Sequence, residues 1–269
     1  MRTICAALLL FLATSASGDS PTCAPNYAYE GFTKPSQWRY IDARCATGQQ
    51  SPITIAPPLT PAHDGAITVS YYNGGVAVAV KNSGHDFRVI PPPPTQTMKH
   101  EITVPDLGMA RLDNFHFHVP AEHRIPGYGA LAGEIHFVHK TPGGGTVVIA
   151  VLLSDSGSAN NSALQPIIAA IQPSSSQPPI HLCDSKTVSV NLRPLLPPSI
   201  PSYYRYVGSL TTPGCDPGIV FLIRPTPMTI GAAQLGTLRS FGANARPPQP
   251  RITNPGTGAP TQIKHVTPR

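Results

Sequence analysis

The amino-acid sequence predicts a mainly β, single-domain fold (α+β in its minor helical content), built on a large sheet with short peripheral helices. Three observations carry that prediction. Thirty-three prolines and 23 glycines punctuate the 269 residues, which disfavours long helices. Between these breaks lie apolar runs of strand length: VAVAVK (76–81), FRVI (87–90), MARLDNFHFHV (109–119), GEIHFVHK (133–140), TVVIAVLL (146–153) and GIVFLIR (218–224). Turn chemistry such as NSGH at 82–85 and TPGGG at 141–145 separates the runs.

Taken in chain order, residues 1–18 (MRTICAALLLFLATSASG) read as a secretory signal peptide, with one Arg, an apolar run over 4–12 and small residues near 16–18. That run is shorter than the ~20 residues a membrane span needs. No later stretch is long enough, so the expected product is secreted or periplasmic without a membrane span. Residues 19–250 then form the one domain, with chain enough for a sizeable core. Cys5 leaves with the signal, and Cys23, Cys45, Cys183 and Cys215 remain. In an exported chain they suggest two disulfides, with three pairings open. PPPP at 91–94 reads as a stiff exposed loop. GGG at 143–145 is a hairpin turn and not a phosphate loop, because no GK[ST] follows. Helices are expected only around 161–171 and 231–240. The tail, 251–269, holds Pro, Gly and Thr with little apolar content and is expected to be loosely ordered. The formal charge is +6, but only 12% of residues are charged. With no basic stripe and no interleaved aromatics, nucleic acid is not an expected partner.

The chemistry concentrates in NFHFHVPAEH, residues 114–123. On a strand side chains alternate faces, so Asn114, His116 and His118 share one face while Phe115, Phe117 and Val119 share the other. In GEIHFVHK, Glu134, His136 and Val138 share a face in the same way. If the two strands are neighbours, His136 completes a set of three imidazoles, the donor pattern of catalytic zinc with an open fourth position. Asn114 and Glu134, each two residues from a candidate ligand, are placed to hold imidazole N–H groups. The bland reading of a lone strand histidine is a satisfied core residue; three in phase, one preceded by a glutamate at i−2, outweigh it. His139 points away from His136 and is expected to be structural. His63, His100, His181 and His265 are expected to be solvated bystanders in loops or the tail.

On these residues the chain resembles an α-class carbonic anhydrase of the exported, bacterial type, from about Tyr27 to Pro250. NFHFHVPAEH and GEIHFVHK are similar to its zinc motif, and YVGSLTTPGC (206–215) to its active-site loop. GQQSPI (48–53), NSGHDF (82–87) and NARPPQP (244–250) match further motifs in order. The resemblance implies a central, mostly antiparallel twisted sheet and reversible hydration of carbon dioxide to bicarbonate by a zinc-bound hydroxide. It implies Zn2+ on His116, His118 and His136. Thr211 would orient the nucleophile through Glu122, Thr212 would line the mouth, and Val138, Val148 and Leu210, extended by Ile219, would form an apolar substrate pocket. His85 would carry protons, with Tyr29 and Ser83 organising water, while His123, Glu134 and Tyr206 would support His136. Gln50 and Arg246 are expected to be framework residues. The family's exported members also imply a Cys45–Cys215 disulfide, leaving Cys23 and Cys183 as a second pair. Expected partners are CO2, bicarbonate, and sulfonamide and anion inhibitors, in a monomer or homodimer.

Some residues depart from the family pattern. Asn114 replaces a longer glutamine, Arg88 a neutral amide and Gly214 a proline, while Pro217 and Phe221 stand for an acidic residue and a tryptophan. Gly214 is expected to loosen the loop after Thr212. Two rival readings follow: a carbonic-anhydrase-like domain that binds without turnover, and a cupin, whose first motif resembles HFHVPAEHRIPGYG but whose second is missing around His136.

Overall fold

The apolar runs pair into one sheet of thirteen strands in the computed structural model, which describes residues 26–155, 157, 159–174, 179–252 and 261–268. In chain order the strands are β1 (Thr60–Ala62), β2 (Ile67–Tyr71), β3 (Gly75–Asn82), β4 (Phe87–Ile90), β5 (His100–Val104), β6 (Gly108–His118) and β7 (Gly133–Lys140). They continue with β8 (Thr146–Asp155), β9 (Ser185–Asn191), β10 (Ser199–Ile200), β11 (Tyr203–Ser209), β12 (Pro217–Ile230) and β13 (Lys264–Val266). The main path runs β1-β13-β11-β12-β8-β7-β6-β4-β3-β9, with β5, β2 and β10 continuing from β6 on a branch. Pairing is antiparallel except at β1–β13 and β8–β12, so the mostly antiparallel sheet is as expected. The proposed signal peptide and Cys23 lie outside the described residues. Among the described residues no helix is long and apolar enough to cross a membrane.

The centre of the sheet explains its sequence. Residues 146–153 of β8 are all buried, because a strand covered on both faces has no polar side to show. Val147, Ile149 and Val151 join Phe115, Phe117 and Phe137 in the larger core. Val148, Ala150 and Leu152 face Tyr206, Phe221 and Ile223 in the smaller one. Three short α-helices, α1 (Trp38–Ile41), α2 (Gln165–Ile171) and α3 (Ala232–Arg239), are peripheral. α2 buries Ile167, Ile168, Ala170 and Ile171. Gln234 of α3, 1% exposed, accepts the Asn161 N–H at 2.8 Å and donates to the Asn161 carbonyl at 2.9 Å. That pair of bonds ties α3 to the turn before α2.

The tail is not loosely ordered over 261–268. Lys264–Val266 pairs in parallel with β1 and antiparallel with β11, Ile263 and Val266 are fully buried, and Lys264 Nζ meets Asp64 at 3.0 Å. Two apolar side chains and an open strand edge outweigh an average composition. For the same reason two of the expected bystanders are built in. His265 packs its ring on Tyr204 at 4.6 Å, and His100 opens β5 at 4% exposure. His63 and His181 are exposed, as expected.

His139 points opposite His136, fully buried, with its Nε2 hydrogen-bonded to the Tyr71 hydroxyl at 2.7 Å. Burial pushes its pKa down to about 4, whereas an unfolded imidazole titrates near 6.5. A folded pKa below the unfolded one means that the unfolded chain binds the extra proton. The resulting stability is present above about pH 6.5 and is lost as pH falls toward 4. Between pH 7 and pH 5 His139 should therefore contribute a loss of about 2 kcal/mol. Urea unfolding at both pH values, wild type against His139→Gln, measures it; an equal pH-dependent loss in both proteins would remove His139 as the cause.

Candidate metal centre

A bulge in β6 between Leu112 and Asn114 sets the phase of the strand, after which the register with β7 places His116 opposite His136 and His118 opposite Glu134. The neighbouring of the two strands, left conditional by the sequence, is thereby met. Ring centroids are 5.0 Å apart for His116–His118, 5.6 Å for His116–His136 and 4.6 Å for His118–His136. One ring nitrogen from each lies within 4.8 Å of the others.

The other nitrogen of each ring is held. His116 Nδ1 donates to Asn114 Oδ1 at 3.1 Å, His118 Nδ1 to the Asn244 carbonyl at 2.9 Å, and His136 Nε2 to Glu134 Oε1 at 2.8 Å. Asn114, although one methylene short of glutamine, reaches its imidazole. These bonds leave His116 Nε2, His118 Nε2 and His136 Nδ1 as the lone-pair donors, and His118 Nε2 is buried without a partner among the described residues. Burial lowers the pKa of all three imidazoles, that of His116 furthest. Three neutral, oriented imidazoles with an orphaned buried nitrogen fit a zinc-type cation. A second cluster, His123, Glu134 and His136, is the supporting network of the first, since its polar atoms bond one another.

That network centres on Glu134, which has no solvent exposure. Its Oε1 accepts from His123 Nδ1 at 2.6 Å and from His136 Nε2, while Oε2 accepts the backbone N–H groups of Glu122 at 2.9 Å and His123 at 2.7 Å. Burial opposes its charge, but His123 and His136 prevail and hold the carboxyl well below its usual range. The Tyr206 hydroxyl lies 2.7 Å from His123 Nε2 and 2.8 Å from Ser51 Oγ. Glu122 is equally buried. Its Oε1 accepts the Arg246 N–H at 2.9 Å, and burial pushes its pKa up to about 7 against the opposing pull of His136 and the neighbouring Thr211 side chain.

The loop carrying Thr211 is pinned rather than loosened. Cys215 N donates to the Thr212 carbonyl at 2.9 Å, and Gly214 sits at φ +101. Pro213 and Gly214 thus take the two central positions that a type II turn favours. A disulfide joins Cys215 to Cys45, and Arg44 pairs with Asp216. Cys183 is disulfide-bonded; its expected partner, Cys23, lies outside the described residues.

A cleft of about 280 Å³ opens over His116 and His136. Val138, Val148, Leu210 and Phe221 form its apolar wall beside Thr211 and Thr212. Ile219 packs in the smaller core and is absent from the cleft lining. Phe221, stacked on Tyr206 at 5.2 Å and 5.7 Å from the His136 ring, takes the place expected of Ile219. His85 is not brought into this cleft. Its Nε2 donates to the Tyr27 carbonyl at 2.5 Å, its ring packs on Tyr27 and Tyr29 at 4.2 and 5.6 Å, and it lines a neighbouring cavity with Phe87, Phe241 and Asn244.

Sequence reasoning missed Asp86, Asp113, Lys140 and Tyr27. Asp86 and Arg88, alternating on one face of the chain, both line the cleft with Asp113 and Lys140. Burial opposes the Asp86 charge, but His116, Arg88 at 3.3 Å and the Ser83 hydroxyl keep its pKa below the ordinary value. Ser83 thus bonds Asp86. Tyr27 lies beside the Thr212 side chain, and its ring packs on that of Tyr29 at 6.1 Å. The period-two alternation that flagged Arg88 could have flagged Asp86; nothing in the sequence places Tyr27 beside Thr212.

Comparison with known proteins agrees with this geometry. The sequence profile of the family described as eukaryotic-type carbonic anhydrase matches residues 33–254. A carbonic anhydrase of Pectobacterium carotovorum is 34% identical over 254 residues, covering 91% of this chain and 94% of the relative. The α-carbonic anhydrase structure of Photobacterium profundum superposes with a TM-score of 0.71 at 32% identity, covering 88% of this chain and 99% of the other. That of Thermovibrio ammonificans, in complex with the inhibitor sulfanilamide, superposes with a TM-score of 0.72 at 28% identity, covering 88% and 98%.

Glu134 touches no metal position itself, so its worth should appear as ligand orientation. Replacing a carboxylate behind a metal-bound imidazole commonly costs 10–100-fold in metal affinity. Glu134→Gln should therefore weaken Zn2+ binding by about 10–100-fold in a chromophoric-chelator competition. Unchanged affinity would show that His136 is held in place by packing alone.

Proposed function

The chain belongs to the eukaryotic-type carbonic anhydrase family, and from that premise we propose that it interconverts carbon dioxide and bicarbonate with zinc held by His116, His118 and His136. The observation that carries the proposal is the convergence of three neutral imidazoles whose far nitrogens are each already bonded. Zinc bound there supplies a nucleophile at neutral pH by lowering the pKa of water, an effect for which carbonic anhydrases are the standard instance.

The surrounding residues have separable tasks. Glu134 holds the proton on His136 Nε2 and so keeps Nδ1 available as a ligand. Thr211 would commit its hydroxyl proton to the neighbouring Glu122, leaving its oxygen as an acceptor facing the cleft. An acceptor at that point selects and orients a nucleophile that still carries a proton. Val138, Val148, Leu210 and Phe221 exclude water from one wall, which suits a linear, uncharged substrate with little to hydrogen-bond. Thr212, steadied by Tyr27, borders the same space. His85 is the proposed proton carrier, since an imidazole can both accept and donate a proton. The Cys45–Cys215 disulfide supports export to an oxidising compartment.

The direct test is stopped-flow CO2 hydration on protein assayed for metal, with and without an aromatic sulfonamide. Wild type should carry one zinc per chain and be inhibited. His118→Ala should lose tight zinc binding and turnover together, because two imidazoles are too few for the site. Zinc without turnover in the wild type would mark a binding domain, and iron or manganese with sulfonamide indifference would mark a cupin.

His85→Ala separates proton transfer from the chemical step. It should lower kcat at low buffer concentration, leave kcat/KM for CO2 hydration largely intact, and regain rate on addition of imidazole. Equal losses in kcat and kcat/KM, unrelieved by imidazole, would make His85 structural.

A further inference from the structure

β6 carries one extra residue where it pairs with β7. Arg111 and Leu112 face Lys140 and His139, and the pairing resumes with Asn114 at Val138, so Asp113 has no partner across the strand. On a regular strand consecutive side chains point to opposite faces, and Asp113 would fall on the side of Phe115. The bulge re-aims it, as bulges beside functional sites commonly do, and Asp113 and Asn114 both line the metal cleft. Their side chains meet: Asn114 Nδ2 donates to Asp113 Oδ2 at 2.7 Å.

That contact settles a choice Asn114 cannot make alone. A side-chain amide has an acceptor at one end and donors at the other, and a half-turn exchanges them. The Asp113 carboxylate only accepts, so the NH2 end turns to it and Oδ1 is left for His116 Nδ1, 3.1 Å away. The reverse orientation would set Nδ2 against the His116 Nδ1 proton and Oδ1 against the carboxylate. The imidazole would then gain by moving its proton to Nε2, the nitrogen that converges on the other two histidines. Asn114 is 7% exposed, so a turned amide would find little water to bond instead. The other two ligands carry no such ambiguity: a carboxylate holds His136 and a backbone carbonyl holds His118. Among the three, His116 alone depends on a group with two ends.

We propose that Asp113 is a positioning residue of the metal centre: it fixes the Asn114 amide, and through it the His116 tautomer whose Nε2 lone pair faces the metal position. The inference rests on the zinc reading of the three histidines and extends it outward by two side chains.

Three substitutions separate the hydrogen bond from the charge. Asp113 is exposed, so its replacement leaves the core intact. Asp113→Asn removes the charge and keeps an acceptor oxygen, Asp113→Ala removes both, and Asn114→Ala removes the amide through which Asp113 acts. Zn2+ affinity is measured on the full chain by chromophoric-chelator competition. Asp113→Ala should bind zinc about 3–10-fold more weakly than wild type, the range for one hydrogen bond, and Asp113→Asn should stay within about twofold. In the Asn114→Ala background, Asp113→Ala should cost nothing further. Equal losses in Asp113→Asn and Asp113→Ala would assign the effect to charge and overturn the proposal. Wild-type affinity in Asp113→Ala, or a full additional loss in the Asn114→Ala background, would overturn it too.

A second readout needs no metal. In metal-free protein labelled with 15N-histidine, long-range 1H–15N couplings at neutral pH show which ring nitrogen carries the proton. His116 should hold it on Nδ1 in wild type and Asp113→Asn, and share it between both nitrogens in Asp113→Ala. An unchanged His116 tautomer in Asp113→Ala would overturn the proposal. Failure of the wild type to bind zinc tightly would instead overturn the zinc reading, and the tautomer measurement would still decide the role of Asp113.

Discussion

Glu134 remains ionised with no solvent exposure because four N–H groups converge on its two oxygens. An isolated buried carboxylate would take up a proton; here the backbone of 122–123 and two imidazoles stand in for water. The bond to His136 decides which nitrogen of that ring faces the other imidazoles. The bonds to Glu122 N and His123 N fix the turn after β6, and with it the position of the Glu122 side chain. The orientation of the His136 ring and the placement of the Glu122 side chain therefore share one carboxylate.

Glu122 shows the opposite solution to the same burial. Its Oε1 accepts one backbone N–H, Oε2 has no partner among the described residues, and its pKa rises to about 7. Two carboxylates a few ångströms from the same imidazoles are thus separated in their affinity for protons by the number of donors each receives. A divalent cation at the histidines would favour the ionised form of Glu122.

The framework behind the site is built from groups that do not titrate near neutrality. Arg246, Gln50, Ser51, Tyr206 and Ser209 bond one another or nearby backbone from three separated stretches of chain. With the Cys45–Cys215 disulfide, they hold the N-terminal segment, the loop after β11 and the segment after α3 together. That wall is bonded largely within itself, with Arg246 Nε left without a partner among the described residues, while Asp86 and Arg88 pair in the cleft lining beside the imidazoles.

The sequence by itself determined the strands with strong alternation or a continuous apolar run, β3, β4, β6, β7, β8 and the first half of β12, because burial on a pleated sheet imposes period two or none. It also determined the three candidate ligands and two of their hydrogen-bond partners, since residues two apart on a strand share a face whatever the strand pairs with. Short or half-exposed strands such as β9 and β13 were not legible: a solvent-facing edge tolerates Ser, Lys and Thr, and three residues carry no period. Only tertiary structure decided the β6–β7 register that sets His136 opposite His116, the use of Gly214 to complete a turn, and the rest position of His85 on Tyr27. It alone placed Phe221 in the cleft where Ile219 was expected and buried His100. Each depends on contacts between residues far apart in the chain, and local periodicity carries no information about which distant segment will supply the partner.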